Sequence, residues 1–181
     1  FGLVSLTTTH LGTFQASTVT KTGAPLRWWW GDGTYTDGNT PAKVYPDSIE
    51  KTIYIATTDG WSGLTDFRCV GMNITSSGMS VTTSLTRLFL YHNKLTTPTD
   101  TSNNTSLQHL YLYGNNLTTP PDTSSNTSLL ILYLHNNNLT TPTDTSNNTS
   151  LRYLWLDINS LDVAGLSAVI DDCYANRVVL G

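Results

Sequence analysis

The stretch Ser106-Leu107-Gln108-His109-Leu110-Tyr111-Leu112-Tyr113-Gly114-Asn115-Asn116-Leu117 decides the fold of this 181-residue chain. Within it Leu107, Leu110, Leu112, Asn115 and Leu117 form the pattern LxxLxLxxNxL. The pattern recurs 22 residues earlier, from Leu85 to Leu95, and at the next two steps of 22, from Leu129 to Leu139 and from Leu151 to Leu161. The spacing has a physical reason. Leu110 and Leu112 share one face of a short strand, because strand side chains alternate, and the chain must then bend for Leu117 to return to the same interior. An Asn at the bend suits a side chain that bonds backbone groups, so Asn93, Asn115, Asn137 and Asn159 are expected to form a ladder. Asn104, Asn126 and Asn148 keep the same step and form a second candidate ladder. One rung buries roughly four Leu, each worth about 1.5–3 kcal/mol, against an ordering cost of about 1.5 kcal/mol per residue. A single rung cannot stand alone, so the repeats must stack.

Working outward, Leu64, Phe67, Cys69 and Ile74 read as a degenerate first rung, with Met72 at the Asn position and Asn73 beside it. The segment Thr96 to Thr105 is nearly copied from Thr118 to Thr127 and from Thr140 to Thr149. It lacks helical periodicity, and Pro98, Pro120 and Pro142 remove backbone donors, so this side is expected to be extended or turn-like rather than helical. After Leu161, Asp162 is suited to N-cap a helix that sets Val163, Leu166, Ile170 and Cys173 inward as a cap. Val178 to Leu180 reads as a last edge strand.

The four copies of LxxLxLxxNxL resemble the leucine-rich-repeat family over residues 62–181. The resemblance implies a mainly β solenoid of about five rungs. Residues 1–58 differ in texture, with alternating segments at Leu3 to Leu6 and Thr52 to Ala56 and turn signals at Asp32-Gly33 and Asp37-Gly38. A small antiparallel β-domain, sandwich-like, is expected there, ahead of the solenoid at 59–181. Trp30-Gly31-Asp32-Gly33-Thr34, Pro41, Tyr45 and the strand at Ile53 to Ile55 resemble the PKD-type immunoglobulin-like pattern, with Lys43 where the usual His stands and Ile49 where the usual Gly stands. PKD-like modules joined to leucine-rich repeats resemble bacterial or phage surface proteins, which implies an extracellular, non-enzymatic setting.

Composition narrows the function. Charged residues are 12% of the chain and the net charge is -4, with Lys and Arg thinly spread, so the electrostatic drive for nucleic-acid binding is absent. No apolar run is long enough to span a bilayer. The chain opens at Phe1 rather than Met, as a processed chain or a fragment does. No Cys/His cluster suggests zinc, Asp32 and Asp37 read as turn formers rather than a calcium site, and no cofactor is implied. Cys69 and Cys173, about 19 Å apart at the strand spacing, are expected to be unbonded buried thiols.

The residue between the two Leu of LxL is Arg68, Phe89, Tyr111, Tyr133 and Trp155 in successive rungs, an aromatic column flanked by Tyr91, Tyr113, His135 and Asp157 and by Arg87, His109, Ile131 and Tyr153. Phe89, Tyr91, Tyr111, Tyr113, Tyr133, Tyr153 and Trp155 are therefore the candidate face for assembly or for a glycan or protein ligand, against the simpler reading that cross-rung rings stabilise the sheet. His135 beside Asp157 invites a catalytic reading, but no Ser or Cys shares the column, so no enzyme is expected. The expected function is self-assembly: a homo-oligomer or fibre in which the edge at Val178 and Leu180 meets a complementary strand from Phe1, Leu3 and their neighbours on the next copy. A surface or phage-tail recognition module is the alternative. Thr97, Thr99, Thr101, Thr119, Thr141, Thr143 and Thr145 are candidate O-glycosylation positions on the Thr/Ser-rich side.

Overall fold

The computed structural model describes residues 2–164, 166–167, 170 and 178–180. Among them run strands β1 (Val4–Thr8), β2 (Gly12–Gln15), β3 (Thr18–Lys21), β4 (Arg27–Trp29), β5 (Tyr35–Asp37), β6 (Ala42–Tyr45), β7 (Lys51–Ala56), β8 (Leu64–Arg68), β9 (Ile74–Gly78), β10 (Arg87–Phe89), β11 (His109–Tyr111), β12 (Ile131–Tyr133), β13 (Tyr153–Trp155) and β14 (Val179–Leu180). The protein is mainly β, and its repeat half is a solenoid of about five turns.

Each repeat contributes one short parallel strand. The pairs Phe67↔Leu88, Leu88↔Leu110, Leu110↔Leu132 and Leu132↔Leu154 run straight up the sheet, so the 22-residue step is also the structural register. Inside, Leu85, Leu88, Leu90, Leu95 and their repeats form a continuous column, fully buried except at the last rung, where Leu151 and Leu156 are slightly exposed and Leu161 is half-buried. Asn115 shows how the bends are satisfied: its Oδ1 accepts the Leu95 N–H of the preceding rung at 3.0 Å, and its Nδ2 donates to the carbonyls of Leu90 and Leu112 at 3.0 and 2.8 Å. Asn93, Asn137 and Asn159 repeat the arrangement. In the degenerate first rung, Met72 and Ile74 both donate their N–H to Asn93 Oδ1.

The Thr-rich side carries no helix among the described residues. Its turns close through Asn104 N–H to Thr101 O at 2.9 Å and Leu107 N–H to Asn104 O at 3.0 Å, repeated at Asn126 and Asn148. Beside them Asp100, Asp122 and Asp144 each accept a backbone N–H two residues on, from Ser102, Ser124 and Ser146.

The first part of the chain forms a five-stranded sheet in the order β5-β4-β7-β1-β9 and the pair β2-β6. Phe14, Trp28, Trp30 and Tyr45 pack between them, with Trp28 and Trp30 stacked at 5.8 Å and the Tyr45 hydroxyl donating to the Trp30 carbonyl at 2.8 Å. The Trp30-to-Thr34 turn is held by Asp32, which accepts from Thr34 and pairs with Lys43. Gly31, at φ 79°, sits where a Cβ would lie 2.8 Å from the Thr52 carbonyl, so only glycine fits.

Two pairings join this part to the solenoid. β3 pairs antiparallel with β8 and so becomes the terminal strand of the seven-stranded solenoid sheet, while β9, which follows the first rung, pairs with β1. Trp28 stacks on Phe67 at 6.1 Å across the same junction. One hydrophobic cluster runs from Val4 to Leu156.

Two expectations need correction. The capping helix is not supported: Asp162 O accepts the Leu166 N–H at 3.0 Å, but Val163, Leu166 and Ile170 are 84, 44 and 52% exposed. Helical spacing puts these residues on one side, yet nothing in the spacing obliges that side to meet the solenoid. Cys173 lies outside the described residues. The free donor strand is also overturned. Leu3 precedes a strand, Val4–Thr8, that is hydrogen-bonded on both edges, to β7 and to β9, so it offers no open edge to a neighbour. Phe1 lies outside the described residues.

Candidate functional site

In-register parallel strands bring equivalent side chains of successive rungs one strand spacing apart, about 4.8 Å, which is also a ring-stacking distance. The aromatic column therefore stacks on itself. Phe89 lies 4.3 Å from Tyr111, Tyr111 4.6 Å from Tyr133, and Tyr133 4.6 Å from Trp155, with interplanar angles of 14, 25 and 22°. The second column stacks likewise, Tyr91 on Tyr113 at 4.5 Å and Tyr113 on His135 at 4.4 Å. Phe89 is buried, Tyr91, Tyr111, Tyr113 and Tyr133 are half-buried, and only Tyr153 and Trp155 at the last full rung are exposed. Most ring faces are thus occupied by neighbouring rings.

The first end of the column is closed by charge. The Arg68 guanidinium lies 4.3 Å above the Phe89 ring and donates twice to the buried Asp66 carboxylate, at 2.9 and 2.8 Å. Arg87, paired in register with Asp66, reaches the same carboxylate at 2.8 Å. Asp66 escaped the sequence reading, because only the pairing of β8 with β10 brings Arg87 to it. Burial, followed by the Arg87 and Arg68 charges, pushes the His109 imidazole below its ordinary pKa, and burial does the same to His135. Burial raises the phenols of Tyr111 and Tyr113. The His135 ring stacks on Tyr113, and Asp157 acts on it through its charge. Cys69 is a free, fully buried thiol whose pKa burial pushes up.

The far end of the solenoid has a different character. β14 pairs with β13 through Tyr153↔Val179 and Leu154↔Leu180 and forms the last strand of the sheet, with Val179 and Leu180 exposed. Leu156, Ile158, Leu161 and Leu166 line a depression at the last rung, with Asp157 and Asn159. Ile158 is largely exposed and holds φ 52°, a left-handed conformation that a β-branched residue adopts at a cost of about 1–2 kcal/mol. His92, Gly114 and Asn136 occupy the equivalent turn with φ of 54, 65 and 53°. The edge expected at Val178 to Leu180 is present as Val179–Leu180, and Leu161 and Leu166, expected in the interior, line the depression at the last rung.

The Thr-rich side divides in two. Thr97, Thr119 and Thr141 are exposed, whereas Thr99, Thr101, Thr143 and Thr145 are buried. The latter four are withdrawn as glycan positions, because a buried hydroxyl is inaccessible to a modifying enzyme in the folded chain. Thr101 Oγ1 instead donates to Asn126 Oδ1 of the next rung at 3.0 Å, and Thr99 pairs with Ser77.

Residues 106–126 match the family model described as Leucine Rich Repeat, so the chain carries a leucine-rich-repeat segment. No curated protein matches the chain. Among solved structures, one that is similar is the functional domain of InlJ from Listeria monocytogenes, which is described as including a cysteine ladder. It is 24% identical, with a TM-score of 0.41, over 63% of this chain and 34% of that one. The chain thus spans about a third of that structure's length.

Proposed function

We propose that this leucine-rich-repeat chain is a non-catalytic structural protein of the cell exterior that assembles with copies of itself, end to end. The observation that supports the reading is the last rung, where Ile158, Val163, Leu166 and Leu180 are exposed and β14 is, among the described residues, the terminal strand of the sheet. Exposed apolar side chains and a terminal strand edge are each costly in water and invite another chain. The complementary end is β3, the other terminal strand of the same seven-stranded sheet. Because β14 runs parallel to β13 and β3 runs antiparallel to β8, copies in the same orientation would meet in an antiparallel joint. Two different ends that join repeatedly give an open filament rather than a closed ring. This replaces the donor-strand geometry excluded above.

The candidate glycan positions on such a filament are Thr97, Thr119 and Thr141, which recur at 22-residue steps on the face opposite the aromatic column. The recognition alternative draws on Tyr153 and Trp155, the two exposed members of the aromatic face. Sedimentation velocity tests the assembly reading: the wild type is expected to grow with concentration, and Leu180→Lys is expected to remain monomeric. A wild type that is monomeric at every concentration contradicts it.

A further inference from the structure

Trp29 lies between two fully buried neighbours, Trp28 and Trp30, and strand alternation turns it to the outer face of the five-stranded sheet. Register then sets it opposite Tyr35 on β5 and Tyr54 on β7. The three rings form a row, 54, 36 and 45% exposed in the order Tyr35, Trp29, Tyr54. Two strand gaps separate its ends, about 10 Å. Beyond Tyr54 the same row continues as Ser5 and Gly78, so no bulky side chain closes that end. Beside it run Asp37 and Arg27, paired in register, with Arg27 Nε and Nη2 donating to the two Asp37 oxygens at 2.7 and 2.8 Å. The guanidinium also lies 4.2 Å over Tyr35 and 5.9 Å from Trp29, which holds both rings in place before any ligand arrives. A cavity of about 220 Å³ opens next to the pair, between Pro25, Arg27, Trp29, Asp37, Thr57 and Thr58.

We infer that this row is a binding platform for a single chain of a neutral polysaccharide. None of the three rings is needed to fill the core, which Trp28, Trp30 and Phe14 already occupy. Sugar rings have apolar C–H faces and hydroxyl edges. The platform offers the matching features, aromatic faces in a line with a planar ion pair and the exposed Thr58 hydroxyl along the margin. The planes of Trp29 and Tyr35 differ by 50°, which suits a chain that twists and does not suit the flat face of a crystalline polymer. Asp37 cancels the charge of Arg27, so the surface favours a neutral polymer over a uronate or sulfated one. The row is one residue wide, with Arg27 and Asp37 on one side and Thr52 and Thr7 on the other. That shape fits a narrow amphipathic chain better than the broader apolar centre of a protein interface.

The site is separate from the β14 edge, and its test is independent of assembly. Affinity gels containing hydroxyethylcellulose, barley mixed-linkage glucan or konjac glucomannan are expected to retard the wild-type protein in at least one case. Trp29→Ala and Tyr54→Ala should each weaken that retardation about tenfold, the value of one stacking contact, and Trp29→Tyr should restore much of it. Val44→Ala, which alters an exposed apolar residue on β6, should bind as wild type. Unchanged sedimentation and circular dichroism of Trp29→Ala would show that the fold and any self-association are intact. The inference is overturned by no retardation in any of the three gels, by undiminished retardation of both alanine variants, or by retardation in an alginate gel alone.

Discussion

Thr101 Oγ1 donates to Asn126 Oδ1 across one rung at 3.0 Å, and Asn126 Nδ2 returns a bond to the Thr101 carbonyl at 3.0 Å. Both side chains are buried. Thr123 and Asn148 repeat the pair one step on, at 2.8 and 2.9 Å, and Thr82 donates to Asn104 one step earlier. The Thr-rich side therefore has an interior of its own, in which polar side chains of successive rungs pair with one another.

Removing one partner from such a pair should leave the other buried and unsatisfied, at a cost of about 1–3 kcal/mol. Thr101→Val, nearly equal in volume, is expected to lower the urea midpoint accordingly, whereas Thr97→Val at the exposed position should leave it unchanged. On the other side, Asn115→Ala removes the acceptor for Leu95 N–H and the donor to two carbonyls, and should cost more than Thr101→Val in the same titration. Equal stability of Thr101→Val and wild type would contradict the role assigned to the ladder.

Tyr133 is clamped between Tyr111 and Trp155, at 4.6 Å to each. Tyr133→Ala is expected to destabilise by about 1–3 kcal/mol, from two stacking contacts at about 0.5–1.5 kcal/mol each, and to reduce the near-UV dichroism of the coupled rings. An unchanged near-UV spectrum would show that the column is not stacked in solution.

Acid should destabilise the fold in two stages. His109 and His135 have depressed pKa values in the folded state, so above their unfolded value of about 6.5 their contribution is complete. As the pH falls below that value the unfolded chain takes up protons first, and stability declines. Asp100, Asp122 and Asp144 are also depressed, by hydrogen bonds from Ser102, Ser124 and Ser146, and their contribution is lost as the pH falls below about 4. Thermal melts should fall between pH 7.5 and 5.5 and again below pH 4. The double variant His109→Asn, His135→Asn should flatten the first decline, and a wild-type melting temperature that does not move between pH 7.5 and 5.5 would exclude it.

The repeat half was legible because its period fixes the register. Once Leu88 and Leu110 share a position, so do Phe89 and Tyr111, and the aromatic column follows. Both Asn ladders follow in the same way. The two ends were not legible, because they depend on pairings with no period. Nothing local in Val4 to Thr8 says that β7 and β9 will take both of its edges, and nothing in Thr18 to Lys21 names β8 as its partner. Periodicity at Val163, Leu166 and Ile170 defined a side without saying what it would face. At Thr97 and Thr99 the difference between an exposed and a buried hydroxyl is a matter of alternation within a segment whose composition looks uniform.

If Thr97, Thr119 and Thr141 carry glycans in the native material, intact mass should exceed the 19.8 kDa chain by whole sugar units. Peptide mapping should place none of them on Thr99, Thr101, Thr143 or Thr145. A native mass equal to that of the chain would remove glycosylation from the account.

The central claim is that the last rung is built to meet another copy, and Ile158 tests it most directly. Its positive φ is one that Asn136 adopts at the equivalent turn, so Ile158→Asn should stabilise the monomer by about 1 kcal/mol while removing an exposed apolar contact. Sedimentation velocity with electron microscopy of wild type and Ile158→Asn, over a hundredfold range of concentration, should show filaments or long oligomers for the first and shorter species for the second, despite its greater stability. Monomers alone in the wild type, or indistinguishable assembly of the two proteins, would contradict the claim.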